Sequence, residues 1–230
     1  MNKIKLFLLD LLFPNRCPIC SSFITYDSFV CDECLAKLSD SIVDKTNVCE
    51  VCGKNYCETH KNRHYSRTVS CYYYEETAKK GIISLKEECH NFGFHLAEIL
   101  SEEIISDNLL KNADFIMPVP MSKQKLRTRG YNQAEIIAKE ISSRTGIPLL
   151  KNILFKHESQ AQHTLGLKER QMNVSAFYSK ETDLSGKKII LCDDVITTGS
   201  TMNRCAELLI NMNAECVYAA AGTIKKYKKE

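Results

Sequence analysis

A chain of 230 residues with 44% apolar and 26% charged residues can bury one ordinary core and carry a small appendage. Its formal charge of +3 counts every cysteine as neutral, although a metal-bound cysteine is a thiolate. If seven cysteines bound two divalent ions as thiolates, the net charge would fall to about zero. Overall charge therefore does not favour nucleic-acid binding.

The N-terminal residues predict an amphipathic helix. Ile4, Phe7, Leu8, Leu11 and Leu12 repeat at the spacing of a single helical face. The apolar run over residues 4–13 contains charges, is too short to span a bilayer and lacks a small-residue cleavage site. We therefore expect a cytoplasmic protein without a transmembrane segment, in which this helix docks onto the protein itself in preference to a membrane or partner.

Residues 17–65 are poor in aliphatic side chains, so this segment needs metal to hold it together. The chain has twelve cysteines, and nine of them fall within the first 89 residues. Two C-x2-C pairs separated by ten residues predict a tetrahedral Zn²⁺ site. Its expected ligands are Cys17, Cys20, Cys31 and Cys34.

A second zinc site is expected directly afterwards, so the chain should hold one or two Zn²⁺ ions. The expected ligands are Cys49, Cys52, Cys57 and His60. His64 or Cys71 could replace His60, so the identity of the last ligand stays open. We expect residues 1–66 to form the helix and zinc module, and residues 67–230 to form the second domain.

From residue 67 onward, strand and helix patterns alternate as in α/β domains. The predicted elements are a strand at 68–74, one or two helices over 77–106, a strand at 114–120, a helix at 132–144, short strands at 152–155 and 175–179, a strand at 187–192, a helix at 201–211 and a strand at 217–224. Because a strand, a helix and a strand follow one another, we expect 114–120 and 152–155 to pair in parallel within an open twisted sheet. The polar stretch 156–173 is expected to be a functional lid or disordered. Cys192, Cys205 and Cys216 lie on apolar faces and are expected to be inert core thiols.

The strand at 187–192 leads into two acids and a Thr/Gly/Ser loop that opens a helix. Open α/β sheets bind ligands at this edge, and consecutive backbone N–H groups at a helix N-terminus bind phosphate. Adjacent carboxylates suit a vicinal diol, with Mg²⁺ on the opposite side of the hydroxyls. This pattern predicts a site for phosphoribosyl pyrophosphate (PRPP) or ribose 5-phosphate with Mg²⁺. The expected binding residues are Asp193, Asp194, Thr197, Thr198, Gly199, Ser200 and Thr201.

This segment resembles the PRPP motif of type I phosphoribosyltransferases, and the whole chain resembles the ComF (ComFC) competence family. The further matching pieces are Leu11-Leu-Phe-Pro14, Ser84-Leu-Lys86, Pro118-Val-Pro120, Arg127-x-Arg129-Gly-Tyr-Asn-Gln133, Gln162, Arg170 and Asn173. The resemblance implies a type I phosphoribosyltransferase fold with an N-terminal zinc-finger or ribbon module. The chain departs from the commonest family pattern where Cys57-x2-His60 replaces a fourth cysteine pair.

The sequence leaves three functions open. The resemblance implies a PRPP-binding protein of DNA uptake that binds single-stranded DNA. The alternatives are an active phosphoribosyltransferase with an unidentified nucleobase or amine acceptor, and a PRPP-sensing adaptor for a helicase or other DNA-processing partner. Candidate catalytic residues are Lys86, Arg129, Lys168 and Arg170. Thr197 stands where enzymes that salvage 6-oxopurines carry an acid, which argues against that substrate class.

Local basic groups are the electrostatic basis for DNA binding. The candidates are Lys54, Lys61, Arg63, Arg67 and the lysines of residues 225–229, with Tyr56, Tyr65 and Tyr227 as possible stacking platforms. Lysine-rich chain ends more often serve solubility than nucleic-acid binding, so any such binding should be local and modest.

Overall fold

The computed structural model describes residues 14–55, 63–87, 89–158 and 177–227. The helix expected at 4–12, the metal ligands Cys57 and His60, and most of the polar stretch 156–173 lie outside the described residues. Within the described part of the chain, no helix combines the length and apolar character needed to cross a membrane.

Helices and strands alternate from residue 68 onward. The elements are α1 (Asp32–Leu38), β1 (Thr68–Tyr73), α2 (Glu76–Lys86), α3 (Asn91–Ser106), β2 (Phe115–Pro118), α4 (Lys123–Arg129), α5 (Gln133–Thr145), β3 (Leu154–Lys156), β4 (Phe177–Ser179), β5 (Lys188–Ile196), α6 (Ser200–Asn211) and β6 (Cys216–Ile224). Short 3-10 turns lie at 39–41, 45–47 and 110–112. The α/β pattern predicted from the sequence is confirmed.

A four-stranded parallel sheet in the order β1-β6-β5-β2 forms the centre of the molecule. Successive side chains of β5 enter opposite faces: Ile190 and Cys192 pack with α2, α3 and α5, whereas Ile189 and Leu191 pack with α6. Both faces are therefore covered, which explains why β5 and β6 are almost continuously apolar. The parallel strands bring their carboxyl ends to one edge of the sheet.

The predicted pairing of 114–120 with 152–155 is wrong. Residues 154–156 form β3, which pairs antiparallel with β4 in a separate two-stranded sheet. Parallel contact with β2 is made a few residues earlier, where the Ile116 N–H donates to Pro148 O at 2.9 Å and the Leu150 N–H donates to Ile116 O at 2.8 Å. Beyond that contact the chain pairs with β4, and Phe177 of β4 shares a buried cluster with Leu154 of β3.

The N-terminal segment packs directly on the α2/α3 side of the sheet. Cys17, Val30 and Leu38 share a buried cluster with residues of α3. Phe29 packs against Phe94 with ring centroids 5.6 Å apart. The described residues of the zinc module therefore form no separate core, and the buried ones named here pack against apolar side chains of α3.

Candidate functional site

Four cysteines of the N-terminal segment come together as one cluster. The Sγ atoms of Cys17, Cys20, Cys31 and Cys34 all lie within 4.8 Å of one another, and the Cys20 and Cys31 sulfurs are 3.6 Å apart. A tetrahedral ion with Zn–S bonds of about 2.3 Å separates its sulfurs by about 3.8 Å, so the cluster fits Zn²⁺. Cys31 is the N-cap of α1, and this places Cys34 in the first turn.

The thiols of this cluster differ in their electrostatic environment. The Ser22 hydroxyl, 3.0 Å from the exposed sulfur, lowers the pKa of Cys20 to about 6. Burial raises the pKa of Cys34, and the neighbouring sulfurs add to this effect. Zinc binds thiolates, so a bound cation would stabilise the charged form of the buried thiol.

Cys49 and Cys52 lie in a turn that repeats the backbone of the first cysteine pair. In the first turn, the Ser21 N–H donates to Cys17 O and the Cys17 N–H donates to Ser22 O. In the second, the Gly53 N–H donates to Cys49 O and the Cys49 N–H donates to Lys54 O. Ser21 and Gly53 both have a left-handed φ, 64° and 69°. The second turn thus has the backbone geometry of the first, and metal binding by Cys49 and Cys52 stays a prediction.

Which of His60, His64 and Cys71 would complete a site with Cys49 and Cys52 stays a prediction, because Cys57 and His60 lie outside the described residues. Among the described residues, neither His64 nor Cys71 joins Cys49 and Cys52 in a group of metal-ligand atoms. The Cys71 thiol is buried and lies 3.6 Å from Leu96 O, and burial raises its pKa. Cys192 and Cys205 are fully buried, as expected of core thiols, whereas Cys216 is half-buried beside the Ser66 hydroxyl.

The segment predicted to bind PRPP lies at the carboxyl edge of the sheet. β5 extends through Ile196, so Asp193 and Asp194 belong to the strand, a difference from the predicted end at residue 192. Thr197, Thr198 and Gly199 then form what we call the phosphate loop. Gly199 has a φ of 78° and is the N-cap of α6, and the Ser200 N–H in the first turn donates to Thr198 Oγ1 at 3.3 Å. Backbone N–H groups at such a helix start favour an anion.

The two aspartates form an electrostatically coupled pair. Burial raises the pKa of Asp193 well above its usual range, and the Asp194 carboxylate raises it further. The Asp194 N–H donates to Asp193 Oδ1 at 2.9 Å. Lys86, at the end of α2, places its Nζ 3.2 Å from Asp194 Oδ2. Two carboxyl groups this close are costly to ionise together, so the site favours hydroxyl donors or a cation as partners.

The segment Arg129-Gly-Tyr-Asn-Gln133 connects the elements around this edge. The Tyr131 hydroxyl donates to Leu85 O at 2.7 Å, beside Lys86. The Asn132 amide donates to Val119 O at 2.9 Å, while its Oδ1 caps α5. The Val119 N–H in turn donates to Cys192 O at 2.8 Å. These contacts bring α2, the turn after β2 and α5 to the aspartate pair.

The candidate catalytic residues fall into different places. Lys86 is at the aspartate pair, and Arg129 donates to the buried Gln133 Oε1 at 2.8 Å. Lys168 and Arg170 lie outside the described residues, as do Gln162 and Asn173. Ser200 and Thr201 open α6, where the Thr198 and Ser200 hydroxyls are 2.9 Å apart.

Sequence reasoning missed a group of contacts on the carbonyl side of the phosphate loop. The Arg63 guanidinium donates to Thr198 O at 3.2 Å and to Gly199 O at 3.4 Å. The Tyr227 hydroxyl donates to Thr197 O at 2.5 Å. The sequence carries no signal for these contacts, because the Arg63 partners are 135 and 136 positions away. From the sequence, Arg63 and Tyr227 are expected only as DNA contacts.

A family model described as the phosphoribosyl transferase domain matches residues 89–228. The chain belongs to this family. A second model, the double zinc ribbon domain, matches residues 8–72, which contain both cysteine turns. The resemblance to the ComF family is confirmed by this combination and by the names of the relatives.

Curated relatives of this phosphoribosyl transferase family member carry competence and DNA-utilization names. Competence protein F of Haemophilus influenzae is 36% identical over 46% of this chain and 48% of the relative. Competence protein ComFC of Bacillus subtilis is 32% identical over 41% and 38% of the two chains. DNA utilization protein YhgH of Escherichia coli K12 is 28% identical over 47% and 48%. The matches thus span about half the length of these relatives or less.

Solved structures align to this phosphoribosyl transferase family member with low overall similarity. Glutamine PRPP amidotransferase of B. subtilis, complexed with ADP and GMP, is 19% identical, with a TM-score of 0.41 over 58% of this chain and 26% of the other. Purine phosphoribosyltransferase of Pyrococcus horikoshii is 18% identical, with a TM-score of 0.34 over 67% and 76%.

Proposed function

We propose that this protein binds PRPP, together with Mg²⁺, at the carboxyl edge of the sheet and acts in DNA uptake. The observation that carries PRPP binding is the continuous unit of β5, the aspartate pair, the phosphate loop and the start of α6. The role in DNA uptake rests on the competence and DNA-utilization names of the relatives. Cysteines clustered as metal ligands suit a reducing cytoplasm, which we propose as the compartment.

Each part of the unit has a distinct role in the proposed complex. The N–H groups of the phosphate loop and of the first turn of α6 bind the 5-phosphate. Asp193 and Asp194 accept hydrogen bonds from the two ribose hydroxyls. Mg²⁺, if bound, would offset the negative charge of the pyrophosphate, with oxygens of PRPP as its ligands. Lys86, already beside Asp194, adds a positive charge at the same edge.

Ligand-induced stabilisation tests this proposal. Mg-PRPP should raise the melting temperature of the wild-type protein, because a ligand that binds only the folded state stabilises it by mass action. The variant Asp193→Asn with Asp194→Asn should lose the shift. A matched control replaces the exposed Asp27 and Asp40 by Asn and should retain it. An equal shift in the double variant of the pair would place the ribose elsewhere.

Single-stranded DNA binding is the finer part of the proposal, and it is supported by basic groups around Tyr227. Lys54 Nζ lies 4.3 Å from the centroid of the Tyr227 ring, and Lys225 Nζ lies 5.9 Å from it. Arg67 does not join this patch, because it forms ion pairs with Glu50 and Asp107. The patch therefore comprises Lys54 and Lys225 at the Tyr227 ring, together with Lys226, whose Nζ lies 4.9 Å from the centroid of the Tyr73 ring.

Two other functions keep a supporting observation each. Lys86 at the aspartate pair supports an active transferase, in which a nucleophile attacks the anomeric carbon as pyrophosphate leaves. Contacts of the N-terminal segment with the phosphate loop support a PRPP-sensing adaptor for a DNA-processing partner. Release of pyrophosphate from PRPP with a nucleobase or amine acceptor would favour the transferase.

A further inference from the structure

The phosphate loop is bonded on its carbonyl side at three consecutive peptide units. Tyr227 donates to Thr197 O, and the Arg63 guanidinium donates to Thr198 O and Gly199 O. Helix α6, which follows the loop, is contacted from the same segment: the His64 N–H donates to Asn203 Oδ1 at 2.8 Å. Arg63 and Tyr227 thus reach the loop from two chain segments that are remote from it in sequence.

These bonds bear on the orientation of the N–H groups. The C=O and N–H of a planar trans peptide unit point in opposite directions. Fixing the oxygens of residues 197, 198 and 199 therefore turns the N–H groups of Thr198, Gly199 and Ser200 to the other side of the loop. N–H groups turned to one side of a loop form the kind of concavity that binds an anion. The Ser200 N–H also donates to Thr198 Oγ1, at the long distance of 3.3 Å.

The two side chains are themselves fixed. Tyr227 is paired with Asn55 through two hydrogen bonds, Asn55 Nδ2 to Tyr227 O at 2.7 Å and the Tyr227 N–H to Asn55 Oδ1 at 2.9 Å. Asn55 directly follows the Cys49–Lys54 turn. Arg63 packs behind the loop so closely that a Cβ at Gly199 would lie 2.8 Å from Arg63 Nη1 and 2.9 Å from the Tyr65 hydroxyl.

We propose that Arg63 and Tyr227 are positioning residues, which hold the phosphate loop from its carbonyl side so that its N–H groups are prearranged for the 5-phosphate. The inference rests on the proposed PRPP function. It also links the ribose-phosphate site to the second cysteine turn, because Asn55, which directly follows that turn, is hydrogen-bonded to the backbone of Tyr227. Neither side chain needs to touch the ligand for this effect.

Two conservative variants separate positioning from simple charge attraction. Tyr227→Phe removes only the hydroxyl, and Arg63→Lys keeps the charge but loses the guanidinium fork. Each variant should weaken Mg-PRPP and ribose 5-phosphate binding about fivefold, since a net hydrogen bond contributes on the order of 1 kcal/mol. Matched controls are Tyr178→Phe, whose ring stacks on Phe155, and Arg144→Lys, which pairs with Glu98 and Glu140. Binding is measured by calorimetry, with zinc content and melting temperature checked for every protein.

Amide NMR signals provide a readout that does not depend on PRPP. In the ligand-free variants, the Thr198, Gly199 and Ser200 amide signals should shift, and inorganic phosphate should perturb them less than in wild type. Wild-type affinity in both variants, with unchanged amide signals, would overturn the inference while leaving PRPP binding intact. If the wild type binds no Mg-PRPP, the proposed function fails, and the amide signals alone decide whether the two residues position the loop.

Discussion

At the scale of single residues, Asp193 is the group whose environment differs most from that of an ordinary carboxyl. Burial and the neighbouring Asp194 raise the pKa of Asp193. At a pH between the ordinary carboxyl pKa and this raised value, Asp193 keeps its proton in the folded protein and has released it in the unfolded chain. The free energy of unfolding therefore falls as the pH rises from the usual carboxyl range through the raised pKa of Asp193. Such unfavourable charge is typical of sites arranged for a ligand.

Replacing Asp193 by Asn should stabilise the ligand-free protein. The amide carries no charge and retains an oxygen to accept the Asp194 N–H. We expect the free energy of unfolding to rise by on the order of 1 kcal/mol at neutral pH. The difference from wild type should grow with pH, because only the wild type loses stability through this titration. Urea unfolding of both proteins between pH 5 and pH 8 measures it. A constant difference, or a less stable variant at neutral pH, would contradict the prediction.

The same residues show how far a sequence can predict this site. The aspartate pair and the phosphate loop are contiguous, and their order after an apolar strand predicts both their place and their chemistry. Arg63 and Tyr227 are different, because their partners are distant in sequence and their side chains suit a DNA surface equally well. Only the folded chain shows that their donors are directed at loop carbonyls.

At the scale of elements, the cysteine turns should hold separate metal ions. The variant Cys20→Ser with Cys31→Ser should lose one Zn²⁺ per chain, and Cys49→Ser with Cys52→Ser should lose the other. The first loss should also lower the stability of the whole protein, because Cys17 and Cys34 share a buried cluster with α3. Elemental analysis counts the zinc. Cys89→Ser and Cys216→Ser are the matched controls and should keep the full content. Reduced wild-type protein without zinc would refute both sites.

Strands and helices were predicted well where periodicity is local, and badly where pairing is not. The helix over 132–144 begins at a capping Asn132 and ends at Gly146, which has a φ of 76°. Both residue types are recognisable helix-end signals in the sequence. The three-residue β3 carries no such information about its partner. Its pairing with β4 depends on residues across the polar stretch, so the sequence suggested the nearer strand β2 instead.

At the scale of the whole molecule, the net charge is too close to zero for general attraction to nucleic acid. The structure instead gathers basic groups locally, with Lys54 and Lys225 at the Tyr227 ring and Lys226 at the Tyr73 ring. This patch adjoins the phosphate loop, because the Tyr227 hydroxyl donates to Thr197 O. DNA and PRPP binding would then occupy neighbouring surfaces of the molecule, and variants must be chosen to affect only one of them.

Single-stranded DNA affinity should depend on this patch and on salt. Each phosphate contact contributes a slope of about −0.7 to the log–log dependence of the binding constant on salt, so Lys225→Glu with Lys226→Glu should flatten the slope by about 1.4. These exposed lysines can change without loss of the core, whereas truncation after Thr223 would remove the fully buried Ile224. The control Lys79→Glu with Lys80→Glu makes the same charge change on α2 and should keep the wild-type slope.

Fluorescence anisotropy with an oligothymidine measures affinity at several salt concentrations, in the presence of zinc and Mg-PRPP. Equal slopes in the two double variants would exclude the patch, and no binding by the wild type at low salt would favour the transferase or the sensor.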